Sequence, residues 1–138
     1  MQITEVKNQL ISTIALIDDE DNVLIGKRPM GKPFENLWEF PGGKVKENES
    51  LEQSIIREAK EEINVNLNIN CIAPLSFSTY HIQNSNLIVF LFITRKWDLK
   101  PICKFHKQLK WVKANSLMNY KMPPANKYLL SSLQDLLL

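Results

Sequence analysis

Two runs of apolar, largely β-branched residues, "LISTIALI" (10–17) and "LIVFLFIT" (87–94), place the tightest limit on the fold. Each is eight residues long, the length of a buried strand. Neither approaches the ~20 apolar residues of a membrane span. A polar turn, "DDEDN" (18–22), and "VLIGKR" (23–28) follow the first run and read as the turn and returning strand of a hairpin. "PMGKPFENL" is punctuated by Pro and Gly and reads as a loop. "CIAPLSFSTYHI" and "LIVFLFITRKW" read as two strands around the turn "QNSN", and Pro74, which has no N–H for a ladder, pushes the first toward a sheet edge. "LKWVKA" is a last short strand. In the tail "NKYLLSSLQDLLL", Tyr128, Leu129, Leu133, Leu136 and Leu137 recur at near-helical spacing and predict an amphipathic closing helix. Strands mixed with helices give an α/β domain whose helices cover a mixed sheet. No repeat or linker divides the chain, so residues 1–138 read as one domain.

Between these strands lies "GGKVKENESLEQSIIREAKEEINV" (42–65), which crowds Glu58, Glu61 and Glu62 together with Glu49 just upstream. Ser50 and Gln53 fit a capping box, so a helix starts at about Ser50. At about 100° per residue, Ile55, Ile56, Ala59 and Ile63 share a core-facing stripe, and Glu58, Glu61 and Glu62 lie directly beside it. Arg57 and Lys60 fall further round. Like charges at this spacing repel by a few tenths of a kcal/mol per pair. Two readings follow: a solvated acidic face, or carboxylates gathered for a hard divalent cation such as Mg²⁺, which prefers oxygen ligands shared with substrate phosphates. The adjacent Gly42 and Gly43 favour the second, because they let backbone approach a ligand closely and offer a carbonyl to a metal.

Composition removes several other classes. A net charge of +2 is too small for a surface that coats nucleic acid or an anionic membrane. Cys71 and Cys103 stand alone, without the spacing of a zinc site or a disulfide framework, and fit free thiols in a reducing compartment. The N-terminal segment is too short in its apolar run, and too early in its charge, for a signal peptide. A cytoplasmic protein is expected.

Gly43, Glu49, Arg57-Glu58-Ala59 and Glu61-Glu62 stand at the spacing G-x5-E-x7-R-E-U-x-E-E, which resembles the Nudix box. The box's late glycine is Asn64 here, a residue that also tolerates positive φ and can close the helix in a left-handed cap. The resemblance implies a Nudix-type α/β/α sandwich, a mixed β-sheet flanked by the box helix and a C-terminal helix. It implies hydrolysis of a nucleoside diphosphate linked to another moiety, with Mg²⁺ (or Mn²⁺) held by Glu58, Glu61, Glu62 and the Gly42 carbonyl. Arg57 would orient the carboxylates by ion pairing, and Glu49 would support that arrangement. The partner is then a small nucleoside triphosphate, with neither a nucleic-acid polymer nor a membrane, and the chain a monomer or weak dimer.

Outside the box, "KRPMGKPFENLWEFPGGKV" (27–45) and "MPPANKYLLSSL" (122–133) are similar to the MutT-type 8-oxo-dGTP diphosphatase branch. That likeness implies that Asn126 hydrogen-bonds the purine base, its amide offering donor and acceptor together. Locally, Asn126 reads equally well as the N-cap of the last helix. Phe40 would lie along the base pocket, or else pack as a core aromatic beside Trp38. Arg28 matches a substrate-contacting arginine, the alternative being an exposed cation at a strand end. The branch has a further glutamate in the loop before its last strand, whereas "KPICKFHKQLK" (100–110) contains no Asp or Glu. Phe105 stands near that place and His106 is the neutral-pH base nearby. The attacking water is then activated by a box glutamate, by His106 or by metal alone. Substrates implied or left open are 8-oxo-dGTP, another nucleotide such as a pyrimidine triphosphate, or none, in a non-catalytic nucleotide-binding domain. His81 reads as a surface histidine, and 29–35 as the loop most apt to move over a substrate.

Overall fold

In the computed structural model, which describes residues 6–138, the two apolar runs become neighbours. Strand β1 (Lys7–Leu16) and a later strand, Ser85–Thr94, pair in parallel from Lys7 opposite Ser85 to Leu16 opposite Thr94. Among the described residues the chain runs β1, β2 (Asn22–Lys27), β3 (Trp38–Glu39), β4 (Gly42–Lys44), α1 (Leu51–Ile63), β5 (Ala73–Ile82), β6 (Ser85–Thr94), β7 (Gln108–Lys113), a 3-10 turn (Ala114–Asn119) and α2 (Pro124–Leu137). The strands form a mixed sheet in the order β4-β1-β6-β5 and an antiparallel sheet in the order β3-β2-β7.

Period-two alternation explains why the first apolar run is continuous. Ile14 and Leu16 on β1 face α1, joining Ile55, Ala59 and Ile63 in one core. Ala15 and Ile17 face the other way, into a second core with Val89, Leu91, Leu129 and Leu133. The sheets are thus sandwiched between α1 and α2, an α/β arrangement with a mixed sheet. No helix among the described residues is long and apolar enough to cross a membrane.

The expected hairpin is not one. β1 and β2 meet only at a single bridge, Ile17 to Val23, and then enter different sheets. Asp18 turns the chain by accepting from the Glu20 and Asn22 N–H groups, and β2 finds its partner in β7. Pro74 does lie on an edge strand, β5, where the register slips between Pro74 and Ser76. The two-residue β3 and three-residue β4 are additions to the expected elements.

Helix α1 begins as expected. Ser50 accepts from the Gln53 N–H, and the Gln53 side chain accepts from the Ser50 N–H, a box worth about 1 kcal/mol. It ends on Asn64 in the left-handed region, φ 62°. Ile55, Ala59 and Ile63 are buried; Ile56 is only partly so. Helix α2 starts earlier than the spacing predicts, with Pro124 in its first turn, where a missing N–H is harmless. Its buried face is Ala125, Asn126, Leu129, Leu130 and Leu133. Tyr128 and Leu136, placed on the apolar stripe by periodicity, are 59% and 47% exposed.

Candidate active site

Arg57 sits at the centre of an ionic cluster on α1. Its Nη2 and Nε grip both oxygens of Glu49 at 2.7 and 2.9 Å. Nη1 donates to Glu58 Oε1 at 2.8 Å and to Glu61 Oε2 at 3.2 Å, and Nη2 also reaches the Lys44 carbonyl. The Arg57 hydrogen bonds and the Lys46 N–H draw the Glu49 carboxyl down to about 2. One guanidinium therefore orients three carboxylates. Glu61, 55% exposed on its side chain, points to solvent.

The two glycines of β4 set the distance between that cluster and the sheet. A Cβ on Gly42 would lie 2.0 Å from the Ser12 carbonyl oxygen, and one on Gly43 would lie 2.5 Å from the Glu58 carboxyl. Absent side chains let β4 press onto β1 and let Glu58 press onto β4. The Gly42 N–H donates to Glu62 Oε1 at 3.0 Å. Glu62 is buried, and that burial raises its carboxyl to about 8. The Gly42 N–H acts the other way, and the charges of Glu39 and Glu58 add to the rise.

Behind Glu62 lies a buried polar chain that the sequence reading missed. Glu39 accepts from Arg28 Nη1 at 2.8 Å and is bonded to His106 Nε2 at 2.9 Å, and that nitrogen is 4.0 Å from Glu62 Oε1. The signal available was a lone acid between Trp38 and Phe40, directly ahead of the paired glycines. His106 is not free to act as a base on water in the cavity. Its ring is buried against Gly26, where a Cβ would collide with it, and Phe105 packs edge-on at 5.0 Å. His81 is exposed, with Nδ1 2.8 Å from Asn86 Oδ1.

A cavity of about 600 Å³ brings most of the expected site residues together. Gly42, Gly43, Glu58 and Glu62 line it, as do Arg28, Phe40 and Asn126. Glu49, Arg57 and Glu61 do not. Lys32, Pro33 and Phe34 of the 29–35 loop border it, and so does Phe105. Phe40 is 1% exposed and its ring belongs to the α2-side core. Its N–H donates to Asn126 Oδ1 at 3.1 Å. Asn126 is not a helix cap: that position is Pro123, and Asn126 lies inside the first turn with no protein acceptor for its Nδ2 among the described residues. A second cavity of similar volume, around Asp18, Asn66, Arg95 and Trp97, holds none of the expected residues.

The donor set suits a hard divalent cation. Buried Glu62 is short of positive charge, Glu58 is fixed beside it by Arg57, and all the donors are oxygens. No group of three His, Cys, Asp or Glu side chains is preassembled as a cage among the described residues. Glu58 pairs instead with Arg57, and Glu62 accepts from the Gly42 N–H.

The family description "NUDIX domain" matches residues 8–133. The chain belongs to that family. An 8-oxo-dGTP diphosphatase of Buchnera aphidicola subsp. Schizaphis graminum is 28% identical over 124 residues, spanning 90% of this chain and 92% of its own length. The CTP pyrophosphohydrolase of Escherichia coli K12 is 27% identical over 124 residues, spanning 88% and 89%. A structure from a study of MutT from Aliivibrio salmonicida and Vibrio cholerae superposes with a TM-score of 0.80 at 28% identity, over 94% of this chain and 99% of that one. The chain is a MutT-like Nudix hydrolase, a class that acts on pyrophosphate bonds of small nucleotides and generally uses divalent metal ions.

Glu62 gives this Nudix site a pH signature. Its folded pKa of about 8 lies above the ordinary 4.5, so between those values the folded state holds a proton that the unfolded chain has released. Stability of the metal-free protein therefore falls as pH rises from about 5 to about 8. Glu49 acts in the opposite sense, stabilising above pH 4.5 and losing that contribution as pH falls toward 2. Urea midpoints should decline across the upper window in the wild type and stay flatter in Glu62→Gln. A wild-type midpoint as flat there as that of Glu62→Gln would mean that Glu62 ionises normally.

Proposed function

We propose that the chain hydrolyses oxidised purine nucleoside triphosphates, 8-oxo-dGTP in particular, to the monophosphate and pyrophosphate, and so cleanses the nucleotide pool. The observation that supports this best is the single cavity lined both by Glu58, Glu62 and the β4 glycines and by Arg28 and Asn126. A volume of about 600 Å³ is within the range of small-ligand sites.

Mg²⁺ or Mn²⁺ would be held by Glu58, Glu61, Glu62 and the Gly42 carbonyl. Bound there, a divalent cation neutralises phosphate charge and lowers the pKa of water. Arg57 keeps Glu58 and Glu61 aimed, and Glu49 keeps Arg57 in place. Water is activated by a box glutamate, because the buried His106 ring is already committed to Glu39. Asn126 reads the base. Its Oδ1 spends one lone pair on the Phe40 N–H and keeps a second for the N7–H that only the oxidised guanine has, while Nδ2 donates to O6. An unoxidised guanine would set the N7 lone pair against Oδ1. Arg28 contacts substrate, and Phe40 shapes the pocket through its backbone.

A panel of nucleoside triphosphates assayed with Mg²⁺ should show the highest kcat/KM for 8-oxo-dGTP. Asn126→Ala should cut the preference over dGTP by about 5- to 150-fold, the equivalent of about 1–3 kcal/mol for unpairing a buried polar contact. Equal kcat/KM for dGTP and 8-oxo-dGTP sinks the base assignment. Failure to hydrolyse any nucleotide sinks the enzyme reading and leaves a binding domain. Likeness to the CTP pyrophosphohydrolase supports a second reading, a pyrimidine triphosphate substrate, which the same panel reveals as a CTP preference.

A further inference from the structure

We propose that Glu39 is a positioning residue for substrate binding: it fixes the Arg28 guanidinium at the wall of the cavity. This rests on the reading above that Arg28 contacts the nucleotide. Arg28 directly follows β2, whose last pairs set Gly26 opposite Glu39 and Lys27 opposite Trp38. Its Nε donates to the Pro33 carbonyl at 2.6 Å and its Nη1 to Glu39 Oε1 at 2.8 Å. Two of the three guanidinium nitrogens are thus engaged by protein. Nη2 has no protein acceptor among the described residues, and the residue lines the cavity. The free edge of the fork is the one left for a ligand's oxygens.

Glu39 can hold Arg28 because it is held itself. Its second oxygen is tied to His106 Nε2, whose ring cannot shift while it is packed against Gly26 and Phe105. A proton on Nε2 leaves only a lone pair on the buried, unpartnered Nδ1. The Cys103 thiol donates to the His106 carbonyl at 2.8 Å, and the Lys107 N–H to the Lys27 carbonyl, so the loop behind the ring is pinned too. Two segments therefore converge on the β3 carboxylate: the residue that follows β2 and the loop ahead of β7. Through Pro33 the same arginine also ties the 29–35 loop to that anchor. An arginine fixed before binding loses less side-chain entropy when the ligand arrives, and that gain appears in affinity rather than in the chemical step.

A double-mutant cycle on the full chain tests this, using whichever nucleoside triphosphate is turned over best. Glu39→Gln keeps the shape and removes the charge that orients Arg28. It should raise KM about tenfold while kcat changes less than about twofold, and in an Arg28→Ala background it should change KM less than about twofold. A purely structural role for Glu39 would lower kcat as well as raise KM, or add to the Arg28→Ala loss; either result overturns the proposal. Hydrogen exchange of the arginine side chains, read by NMR without substrate, is independent of the substrate assignment. The Arg28 Nη1–H that Glu39 accepts should exchange more slowly than the Nη–H groups of exposed Arg95 in the wild type, and should lose that protection in Glu39→Gln. An Arg28 Nη1–H as fast as Arg95 in the wild type overturns the proposal whatever the substrate proves to be.

Discussion

Glu58→Gln should lower turnover by at least about 10³-fold while leaving the urea midpoint close to that of the wild type. Glu58 is the box carboxylate that both lines the cavity and is gripped by Arg57, and its tip rests where a Gly43 side chain would be. Glutamine fills the same volume and can still accept from Arg57. It removes the negative charge that a cation requires, and stabilisation of a phosphoryl transition state by a metal is worth several kcal/mol. Stability should barely change, because the Arg57 pair with Glu58 is partly exposed and Arg57 keeps both oxygens of Glu49. Steady-state kinetics on the best substrate, with a parallel urea titration, measure both quantities. A rate within tenfold of the wild type would remove Glu58 from the proposed metal site.

Gly42→Ala should damage stability and turnover together, with a loss of folding free energy of about 3 kcal/mol or more. The added methyl meets the Ser12 carbonyl oxygen at 2.0 Å and the Thr13 Cα at 2.7 Å, backbone atoms that no rotamer change can move aside. β4 must lift from β1, and with it goes the N–H that Glu62 accepts. Gly43→Ala is the internal comparison. There the collision is with the Glu58 carboxyl, the far end of a flexible side chain. That variant should keep most of its stability and lose turnover, because Glu58 swings away. Equal stability of Gly42→Ala and the wild type would mean that β4 does not lie against β1 as described.

Local chemistry made part of this legible in the sequence. Ser50 and Gln53 announce the start of α1, Asn64 its left-handed end, and Pro74 an edge strand, because each acts through its own backbone or a neighbour three residues away. The resemblance to the Nudix box implied that Arg57 pairs with the carboxylates, and the structure has it bonded to Glu49, Glu58 and Glu61. What stayed hidden depends on distant segments. β3 and β4 are too short for any periodicity, and exist because β2 and β1 offer them edges. The hairpin between β1 and β2 looked local, yet β7 outcompeted it for β2. Asn126 read equally as a cap until Phe40, 86 residues earlier, supplied the donor. Glu39 drew no notice because its partners come from β2 and from the loop before β7. Tyr128 and Leu136 kept the helical period but fell outside the face that α2 buries.

The parallel pairing of β1 with β6 has a consequence for how the chain is made. Leu16 and its partner Thr94 stand 78 residues apart, so the most apolar early strand lacks its full-length mate until β6 has left the ribosome. At about 5–20 residues per second, that is roughly 4–16 s during which a sticky, β-prone segment has only the three-residue β4 to pair with. Closing so large a loop is also slow in refolding. Nascent-chain handling by chaperones, and loss of protein to aggregation at high expression rates, should accordingly centre on residues 10–17.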